Sequence, residues 1–499
     1  METLQSLLIG FQTALTPTNL FVCVAGILIG TLVGALPGIG PTGAVAILLP
    51  ASYNLGPAAA IILLAGIYYG TQYGGTITSV LMNVPGESSS MVTTFDGYQM
   101  AKQGRAGVAL GIATIGSFVG GTLSVVGLMA FGPMLAEYAL AFGPPEYFGL
   151  MVLALSLITA FTGKSLVRGL IATIFGLLLG CVGDDVISGD PRLTFGINGL
   201  LDGVQFLPVA VGLFGVSEMI ESLLRKESCD IIKVDLGWRK VLPSWKEIRQ
   251  CTGPILRGSV LGFFVGVLPG AGATIASFLS YGIEQKVSKT PERFGKGAIE
   301  GVAGPETANN ASTGGAFIPM LSLGIPGSGT TAVLLGALLM FGLQPGPALF
   351  REAPEVVWGL IASMYIGNVI LLVINIGFIP LMVWVMDRIL PYMRLVVLIL
   401  ALVGVYSFRN ATLDVVVMLT FAVLGIFMKR YEFPLAPVVL GLILGDRAEL
   451  SLRQSLTISQ NDPSIFFTQK IAAVLLILAF VSFFLPLISQ ALGRIRSTD

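Results

Sequence analysis

Four short proline-glycine turns, each followed by small or hydroxyl-bearing residues, interrupt the apolar runs of this sequence. They read LPGIGPTGA and NVPGESSS in the first half, and LPGAGATIA and GIPGSGTT in the second half. Proline and glycine both disfavour the continuation of a helix, so each turn should separate two helices. A helix start presents unpaired N–H groups and about half a positive charge, and Ser or Thr hydroxyls add further donors. The turns therefore predict a site that binds an anion without Arg or Lys.

The turns form two matching pairs, which identifies an internal repeat. The two halves can be aligned so that Gly34 coincides with Gly266. In this alignment the first turns match at Pro37 with Pro269, Gly38 with Gly270, Gly40 with Gly272 and Thr42 with Thr274. The second turns follow in the same order: Gly74-Gly75 matches Gly314-Gly315, and Pro85-Gly86 matches Pro326-Gly327 after a shift of one residue. Two repeats with paired broken helices are typical of secondary transporters, which bind substrate between the repeats near the middle of the membrane.

The candidate substrate-binding residues belong to the four turns and to the helix starts that follow them. They are Pro37, Gly38, Gly40, Thr42, Asn83, Pro85, Gly86, Ser88, Ser89, Ser90, Pro269, Gly270, Gly272, Thr274, Pro326, Gly327, Ser328 and Thr330. Close helix packing is the alternative role for glycines in membrane helices, and it suffices for Gly26, Gly30 and Gly34 at four-residue spacing. Duplication in both halves favours the binding role for the turns.

A second polar segment, PETANNAST, supplies the candidate ion-binding residues. They are Glu306, Asn309, Asn310 and Thr313. Neighbouring helical residues point in different directions, so at most one of the two Asn side chains should reach a ligand. Capping or bridging of helices is the alternative for both. Glu87, beside a turn, could bind a cation or carry a proton, and exposure in a loop is equally compatible with its position.

The composition identifies the solvent in which these elements must fold. Of the 499 residues, 54% are hydrophobic and 11% are charged, and the mean hydropathy is +0.86, whereas a soluble protein carries about 25% charged residues. Apolar runs of about 20 residues recur, which suits membrane-spanning helices, and they lack the alternation of a membrane barrel. We expect an all-α integral membrane protein with about 11 to 14 helical elements, including broken or re-entrant helices. Short apolar segments at 42–50, 74–84, 271–282 and 313–324 are expected to form half-length helices.

Basic residues divide the chain into two halves. The first basic residue is Lys102. Eight of the 28 Lys and Arg residues lie in the stretch from Arg225 to Arg257, which contains no apolar run long enough to span a membrane. The positive-inside rule places this stretch in the cytoplasm, and Trp238 and Trp245 suit a helix at the membrane surface, with docking of a partner subunit as the alternative. We expect membrane repeat 1 at 1–224, a basic cytoplasmic linker with an interfacial helix at 225–257, and membrane repeat 2 at 258–499. The two repeats are expected to be inverted relative to each other in the membrane.

Residue types that are missing narrow the function further. Histidine is absent, and the four cysteines show no metal-ligand spacing. These absences argue against metalloprotease or Ser-His catalysis, and they give no reason to expect a cofactor, or a metal other than a coupling sodium ion. Proton coupling would need a carboxylate, because the usual neutral-pH switch is missing. An anion channel and, more remotely, an intramembrane aspartyl-type enzyme remain as alternatives to a transporter. Nothing indicates nucleic-acid binding.

Five long stretches carry a resemblance to a known family. They are LPGIGPTGAVAILLP, LAGIYYGTQYGGTITSVLMNVPGESSSMVTTFDGYQMAKQGRAG, FGPPEYFGLMVLAL, LPGAGATIASFLSYG and GPETANNASTGGAFIPMLSLGIPGSGTTAVLLGAL. These stretches resemble the TctA family, the large permease subunit of tripartite tricarboxylate transporters. The resemblance implies a multi-pass subunit of the bacterial inner membrane that works with a small four-helix membrane subunit and a periplasmic solute-binding protein. It implies symport of citrate-like tricarboxylates or related organic carboxylates with sodium or protons, for which we expect alternating access; a homodimer is left open.

Overall fold

The computed structural model describes residues 2–35, 39–161, 165–185, 188–224 and 241–496. Most of these residues are helical, and their strands are limited to one antiparallel pair, β1 (Gly183–Asp184) and β2 (Pro191–Arg192). By length and composition, four helices in the described part of the chain could cross a membrane: Pro17–Gly34, Ala106–Ala139, Pro354–Gly377 and Thr412–Arg430. The predicted all-α membrane fold class is confirmed.

The described helices are numbered along the chain. Before the basic stretch they are α1 (Glu2–Ala14), α2 (Pro17–Gly34), α3 (Gly40–Leu48), α4 (Pro57–Met82), α5 (Met91–Lys102), α6 (Ala106–Ala139), α7 (Pro144–Phe161), α8 (Leu166–Gly180), α9 (Phe206–Ala210) and α10 (Ser217–Leu224). After it they are α11 (Trp245–Val267), α12 (Gly272–Val287), α13 (Glu300–Leu323), α14 (Gly329–Met340), α15 (Leu349–Glu352), α16 (Pro354–Gly377), α17 (Ile379–Arg409), α18 (Thr412–Arg430), α19 (Ala436–Ile458), α20 (Ile465–Thr468) and α21 (Lys470–Arg496). These described segments outnumber the expected 11 to 14, partly because one-turn helices such as α15 and α20 are counted as separate elements.

The chain divides into two compact units. Unit 1 comprises Met1–Ala136 and Phe214–Asn410, and unit 2 comprises Glu137–Leu213 and Ala411–Asp499. Each unit combines a segment from before the basic stretch with one from after it, and all four duplicated turns belong to unit 1. The repeats at 1–224 and 258–499 describe duplicated sequence, and both this division and the inverted orientation stay predictions.

Helix α2 packs on α4 of unit 1 in the same way as α11 packs on α13. A row of glycines makes each contact: Gly26, Gly30 and Gly34 face Leu63, Ile67 and Thr71, and Gly258, Gly262 and Gly266 face Gly304, Ala308 and Ser312. A Cβ atom at any of these glycines would fall against the backbone of the facing helix. Close approach of helices is the usual role of small residues in membranes. The packing role expected for the glycines of α2 is confirmed, and its duplicate holds the second half together.

Two of the expected half-length helices are parts of longer ones. Segments 42–50 and 271–282 largely coincide with the short helices α3 and α12, but 74–84 and 313–324 are the C-terminal parts of α4 and α13. The double glycines inside the two long helices do not interrupt them. Gly74 lies against the backbone of Thr31, and Gly314 lies against Ser124, so these glycines permit close packing instead of breaking a helix.

The basic stretch continues into a long helix. Residues 225–240, Trp238 among them, lie outside the described residues. The rest of the stretch begins α11, whose first turn is closed by a reciprocal capping box between Ser244 and Glu247. Trp245, at the first position of this helix, is exposed. The expected linker end at residue 257 therefore falls inside a continuous helix.

Unit 2 is built from long helices in contact, α7 with α21 and α8 with α19. A network of ion pairs lies among them. Asp185 accepts from Arg453 at 3.0 Å and from Arg192 at 3.4 Å, and Arg453 also pairs with Glu449, one turn earlier in α19, at 2.6 Å. Linked ion pairs of this kind position their helices more firmly than isolated ones.

Candidate functional site

The two halves have matching backbone conformations at described residues that flank the turns. At the helix starts after the first turns, Gly40 and Gly272 have φ angles of +60° and +59°. Ahead of the second turns, Asn83 and Gly324 have φ angles of +57° and +71°. Gly adopts this left-handed region freely and Asn tolerates it, which explains the residue types found there. The duplicated sequence thus has the same local backbone conformation at these two pairs of positions. Pro37 and Gly38 lie outside the described residues.

The two turns of each half lie against each other. A Cβ atom at Gly40 would be 3.8 Å from the Cβ atom of Glu87. At the equivalent place in the second half, a Cβ atom at Gly272 would be 3.9 Å from the Cβ atom of Ser328. The helix start after each first turn therefore faces the residue that follows each second turn.

The two halves meet at hydroxyl groups of their helix starts. Thr42 Oγ1, in the first turn of α3, is 2.9 Å from Thr330 Oγ1, in the first turn of α14. The hydroxyl of Tyr68, on α4, is 3.5 Å from Ser328 Oγ, which caps α14. A helix start from the first half thus lies beside a helix start from the second half. Such a convergence of N-terminal N–H groups and hydroxyls suits an anion.

The hydroxyl residues after the second turns have different roles. Ser88 is exposed. Ser90 Oγ accepts a hydrogen bond from the Glu87 N–H at 3.3 Å, as Thr331 Oγ1 accepts one from the Ser328 N–H at 2.8 Å. Ser90, predicted to bind substrate, is therefore engaged in closing its own turn, and Thr331 does the same in the second half.

The other turn residues shape the backbone. The Gly270 N–H donates to the Gly327 carbonyl at 3.0 Å. A Cβ atom at Gly86 would meet the backbone of Gly34, and one at Gly327 would meet that of the equivalent Gly266. Among the remaining candidates, Pro326 is buried, and four are exposed or half-buried: Asn83, Pro85, Pro269 and Thr274. These contacts leave the hydroxyls at the helix starts as the groups that can touch a ligand.

A buried carboxylate lies beside the second turn of the first half. Glu87 is 8% exposed and accepts from the Ser89 hydroxyl and, at 3.1 Å, from Asn309 Nδ2 of α13. With the amide of Gln72 oriented to satisfy both of its polar atoms, its nitrogen donates to Glu87 Oε2 at 2.9 Å and its oxygen accepts from Thr313 at 3.3 Å. None of the described Arg or Lys residues is paired with Glu87. Glu87 is therefore not an exposed loop residue.

A second buried carboxylate lies among α4, α5 and α13. Glu306 is 1% exposed. It accepts from Thr76 Oγ1 at 2.8 Å and from the hydroxyl of Thr93. Among the described residues, no basic side chain pairs with this group either. The two hydroxyls are neutral, so they stabilise the carboxylate without cancelling its charge.

The adjacent asparagine side chains diverge. Asn309 reaches Glu87, whereas Asn310 Nδ2 donates to Ser117 Oγ on α6 at 2.7 Å. Thr313 Oγ1, which donates to the amide oxygen of Gln72, lies 3.3 Å from the carbonyl of Asn309 one turn earlier. Asn309 and Thr313 thus belong to the surroundings of Glu87, and Asn310 bridges two helices.

Three residues of the site were missed by sequence reasoning. Gln72 lies in the apolar run IYYGTQYGG, and a lone amide inside such a run is itself a signal of function. Thr76 and Thr93 carry no comparable signal, because threonine in membrane helices usually bonds to its own backbone. Their role is evident only in the folded structure, where a carboxylate of α13 accepts hydrogen bonds from them.

The combined groups can bind an anion in a cation-dependent manner. A carboxylate buried without a basic partner is costly in its charged form, so it must bind a cation or take up a proton. The helix starts and hydroxyls beside it can accept an anion. In the described part of the chain, no group of three or more His, Cys, Asp or Glu residues could hold a metal ion. Glu87 and Glu306 are thus two single carboxylates, each with neutral hydrogen-bond donors.

Comparison with known proteins identifies the family of the chain. The family model described as Tripartite tricarboxylate transporter TctA family matches residues 20–440. A protein of Agrobacterium vitis described as the 52.8 kDa protein in the TAR-I ttuC' 3'region is 45% identical over 481 residues, which cover 95% of this chain and 94% of that protein. A second Agrobacterium vitis protein, from the TAR-II ttuC' 3'region, is 44% identical over 229 residues, 46% of this chain and 94% of its own. No solved structure matches the chain. The chain belongs to the tripartite tricarboxylate transporter TctA family, as the large membrane subunit of such a transporter.

Proposed function

We propose that this subunit imports tricarboxylates, citrate-like molecules or related organic carboxylates, by symport with sodium or protons. It works in the bacterial inner membrane with a small four-helix membrane subunit and a periplasmic solute-binding protein that delivers the substrate. One observation carries the coupling: two carboxylates, Glu87 and Glu306, are buried beside converging helix starts without a basic partner among the described residues. A transporter driven by a cation gradient needs such groups.

The substrate carboxylates bind at the junction of the two halves. The hydroxyls of Thr42 and Thr330, with Ser328 and Tyr68 nearby, lie at the starts of α3 and α14. Together with the helix N-termini, these hydroxyls donate hydrogen bonds to carboxylate oxygens. Hydrogen-bond donors alone do not neutralise a multivalent anion, so further positive charge must arrive with it.

The coupling ion supplies that charge. Glu87 accepts hydrogen bonds from Ser89 of the second turn, Asn309 of α13 and Gln72 of α4, and Thr313 of α13 donates to Gln72. A sodium ion at this place, or a proton on the carboxylate, removes the negative charge that faces the substrate site. Substrate binding therefore becomes favourable only after the cation has bound, which is the requirement for symport.

The duplicated turns provide the moving part of an alternating-access cycle. Unit 1 carries both pairs of turns, and the hydroxyls of Thr42 and Thr330 join its two halves. Repeats with matching backbones can exchange roles when the site opens to opposite sides of the membrane. We propose the inverted orientation of the repeats because it permits this exchange of roles.

The test is uptake of labelled carboxylates into proteoliposomes that contain both membrane subunits, with the purified binding protein outside. Sodium and proton gradients are imposed separately, and citrate is compared with smaller carboxylates. We expect saturable uptake that one gradient drives, and loss of gradient-driven uptake in Glu87→Gln. The matched control is Glu355→Gln, an exposed carboxylate of unit 1, which should transport normally. Uptake that ignores both gradients, or a fully active Glu87→Gln, would contradict the proposal.

A further inference from the structure

A small cavity lies inside unit 1 between α4, α6 and the junction of α16 with α17. Its volume is about 10 Å³, and its lining includes Tyr73, Thr76, Ala113, Thr114, Ser117 and Asn375. This volume is close to what one water molecule requires. A buried water also needs about two to four polar partners, and the hydroxyls and the amide of this lining supply them.

One lining group lacks a hydrogen-bond partner. Tyr73 is 3% exposed, and its hydroxyl bonds to no donor or acceptor among the described residues. A buried polar atom of this kind is costly unless a water satisfies it. Apolar cavities stay dry, whereas this one has a partnerless hydroxyl on its wall. The cavity therefore has both the space and the need for a water molecule.

The cavity reaches Glu306 through a single hydroxyl. Thr76 lines the cavity, and its Oγ1 donates to Glu306 Oε2 at 2.8 Å. Ser117 lines it as well, and its Oγ is 3.5 Å from the backbone carbonyl of Glu306. A hydroxyl that accepts from water on one side and donates to a carboxylate on the other can transfer a proton between them.

We propose that one water molecule, held by Tyr73 in this cavity, exchanges protons with Glu306 through Thr76. In protonation, a hydronium ion in the cavity gives one proton to Thr76 Oγ1 and remains as water. Thr76 releases its original proton to Glu306 Oε2, so that the carboxylate becomes a neutral acid and the hydroxyl is restored. Deprotonation reverses these steps. The inference rests on the proposed function and deepens it, because it assigns the proton as the ion that Glu306 carries.

The immediate surroundings of Glu306 suit a proton better than a metal cation. Within the described residues, its carboxylate oxygens are bonded by two hydroxyls, those of Thr76 and Thr93. A sodium ion would need a shell of several oxygen atoms. A proton needs one, and each hydroxyl can turn to accept from the protonated acid.

The ionisable groups around Glu306 leave it free to change charge. Among the described residues, Glu87 and Tyr73 are the ionisable side chains that interact electrostatically with Glu306. Two carboxylates of neighbouring helices are satisfied by their own partners: Glu284 of α12 by Arg257 at 2.9 Å, and Asp96 of α5 by Tyr281 at 2.9 Å and by backbone N–H groups. The charge of Glu306 is thus not fixed by a neighbouring ion pair.

The hydration is tested without transport. The full chain in lipid nanodiscs is exposed to a millisecond X-ray pulse, and hydroxyl-radical products at each aromatic residue are measured by mass spectrometry. We expect labelling of Tyr73 several-fold above that of Phe317, which is also buried and does not line the cavity. Ala113→Val, which adds methyl groups to the cavity, should remove this labelling, and Ala130→Val, at an exposed place on the same helix, should not. Equal protection of Tyr73 and Phe317, or labelling that persists in Ala113→Val, would contradict the presence of a water molecule in the cavity.

The proton transfer is tested by uptake in proteoliposomes across a series of pH values, in H₂O and in D₂O. Tyr73→Phe and Ala113→Val should each slow proton-driven uptake by about tenfold and enlarge the solvent isotope effect, while Ala130→Val behaves as wild type. Wild-type rates and isotope effects in both variants would overturn the relay. If no gradient drives uptake in the wild type, the proposed function fails, and the labelling result separates that outcome from an absent water.

Discussion

The two halves of unit 1 share a backbone but differ in the charge they carry. Gly40 and Gly272 have nearly the same φ angle, and glycine rows join α2 to α4 and α11 to α13 alike. By the spacing of the second turns, however, Glu87 corresponds to Ser328, and by that of the double glycines, Glu306 corresponds to Gly66. Duplication supplied the framework, and substitution in each half supplied one carboxylate at a place the other half leaves neutral.

Because of this difference, the two buried carboxylates do not follow the duplication of the turns. Glu87 follows a turn of the first half, yet Asn309 of the second half donates to it. Glu306 belongs to the second half, yet Thr76 and Thr93 of the first half donate to it. Each carboxylate therefore has at least one hydrogen-bond donor from the opposite half, so a movement between the halves changes the surroundings of both.

Moving the carboxylate from the second turn of one half to that of the other should have the largest effect on transport. In the double variant Glu87→Ser with Ser328→Glu, the carboxylate moves to the equivalent backbone position but loses Asn309 and Gln72. We expect uptake to fall by about a thousandfold, because a buried carboxylate without its partners is costly. Uptake of labelled substrate into proteoliposomes measures the loss, with membrane insertion checked by protease protection. Recovery of wild-type uptake in the double variant would show that either half can hold the ion.

Enlarging one glycine in each half should test whether the two packed pairs contribute equally. Gly30→Ala and Gly262→Ala each place a Cβ atom against the backbone of the facing helix. Each should lower the free energy of unfolding by about 3 kcal/mol. Unfolding in mixed detergent micelles provides the measurement, and Gly377→Ala, which has open space around it, is the control. A large loss in one half alone would refute equivalent packing.

Removing the carboxylate of Asp96 should loosen the connection between the halves. Asp96 Oδ1, on α5, accepts from the Gly297 and Ala298 N–H groups at 2.8 Å, and Tyr281 donates to its other oxygen at 2.9 Å. Asp96→Ala leaves these donors unsatisfied and should lower the free energy of unfolding by about 2 kcal/mol. Asp96→Asn keeps one acceptor and should lose less, as thermal unfolding in detergent will measure. An equal loss in both variants would mean that the volume of the side chain, and not its acceptor oxygens, matters.

Removing the hydroxyls that close the second turns should have the smallest effect, and the same effect in both halves. Ser90 and Thr331 accept from the N–H groups of Glu87 and Ser328. Ser90→Ala and Thr331→Val should each lower the free energy of unfolding by about 1 kcal/mol. Parallel melting experiments on the two variants make the comparison. Loss of substrate affinity in Ser90→Ala at unchanged stability would restore Ser90 to the substrate site.

Sequence reasoning reached the broken helices because proline and glycine act locally. The turns at Pro269 and Pro326 and the left-handed φ angle of Gly40 follow from what these residues allow. It wrongly expected half-length helices to begin at the double glycines. A glycine that permits packing and a glycine that ends a helix cannot be told apart from the sequence until the neighbouring helix is known. Gly74 packs on Thr31, which is distant in sequence.

The parts of the site that sequence reasoning left open depend on contacts between distant segments. Glu87 could not be assigned to a loop or to the interior, because its burial requires Asn309 from α13. The two asparagines could not be separated, although helical geometry required that they diverge. Unit 1 is assembled from segments of both halves of the sequence, and no local sequence pattern indicates which segments assemble.

The most direct test of the central claim compares net uptake with substrate exchange in Glu87→Gln and Glu306→Gln. Net uptake requires the coupling cation to bind and leave, whereas exchange of labelled for unlabelled carboxylate across the vesicle membrane can proceed with the site permanently neutral. If these buried carboxylates carry the coupling ions, each variant loses gradient-driven uptake and retains exchange. Loss of exchange and uptake together in both variants, or gradient-driven uptake at the wild-type rate, would contradict the account.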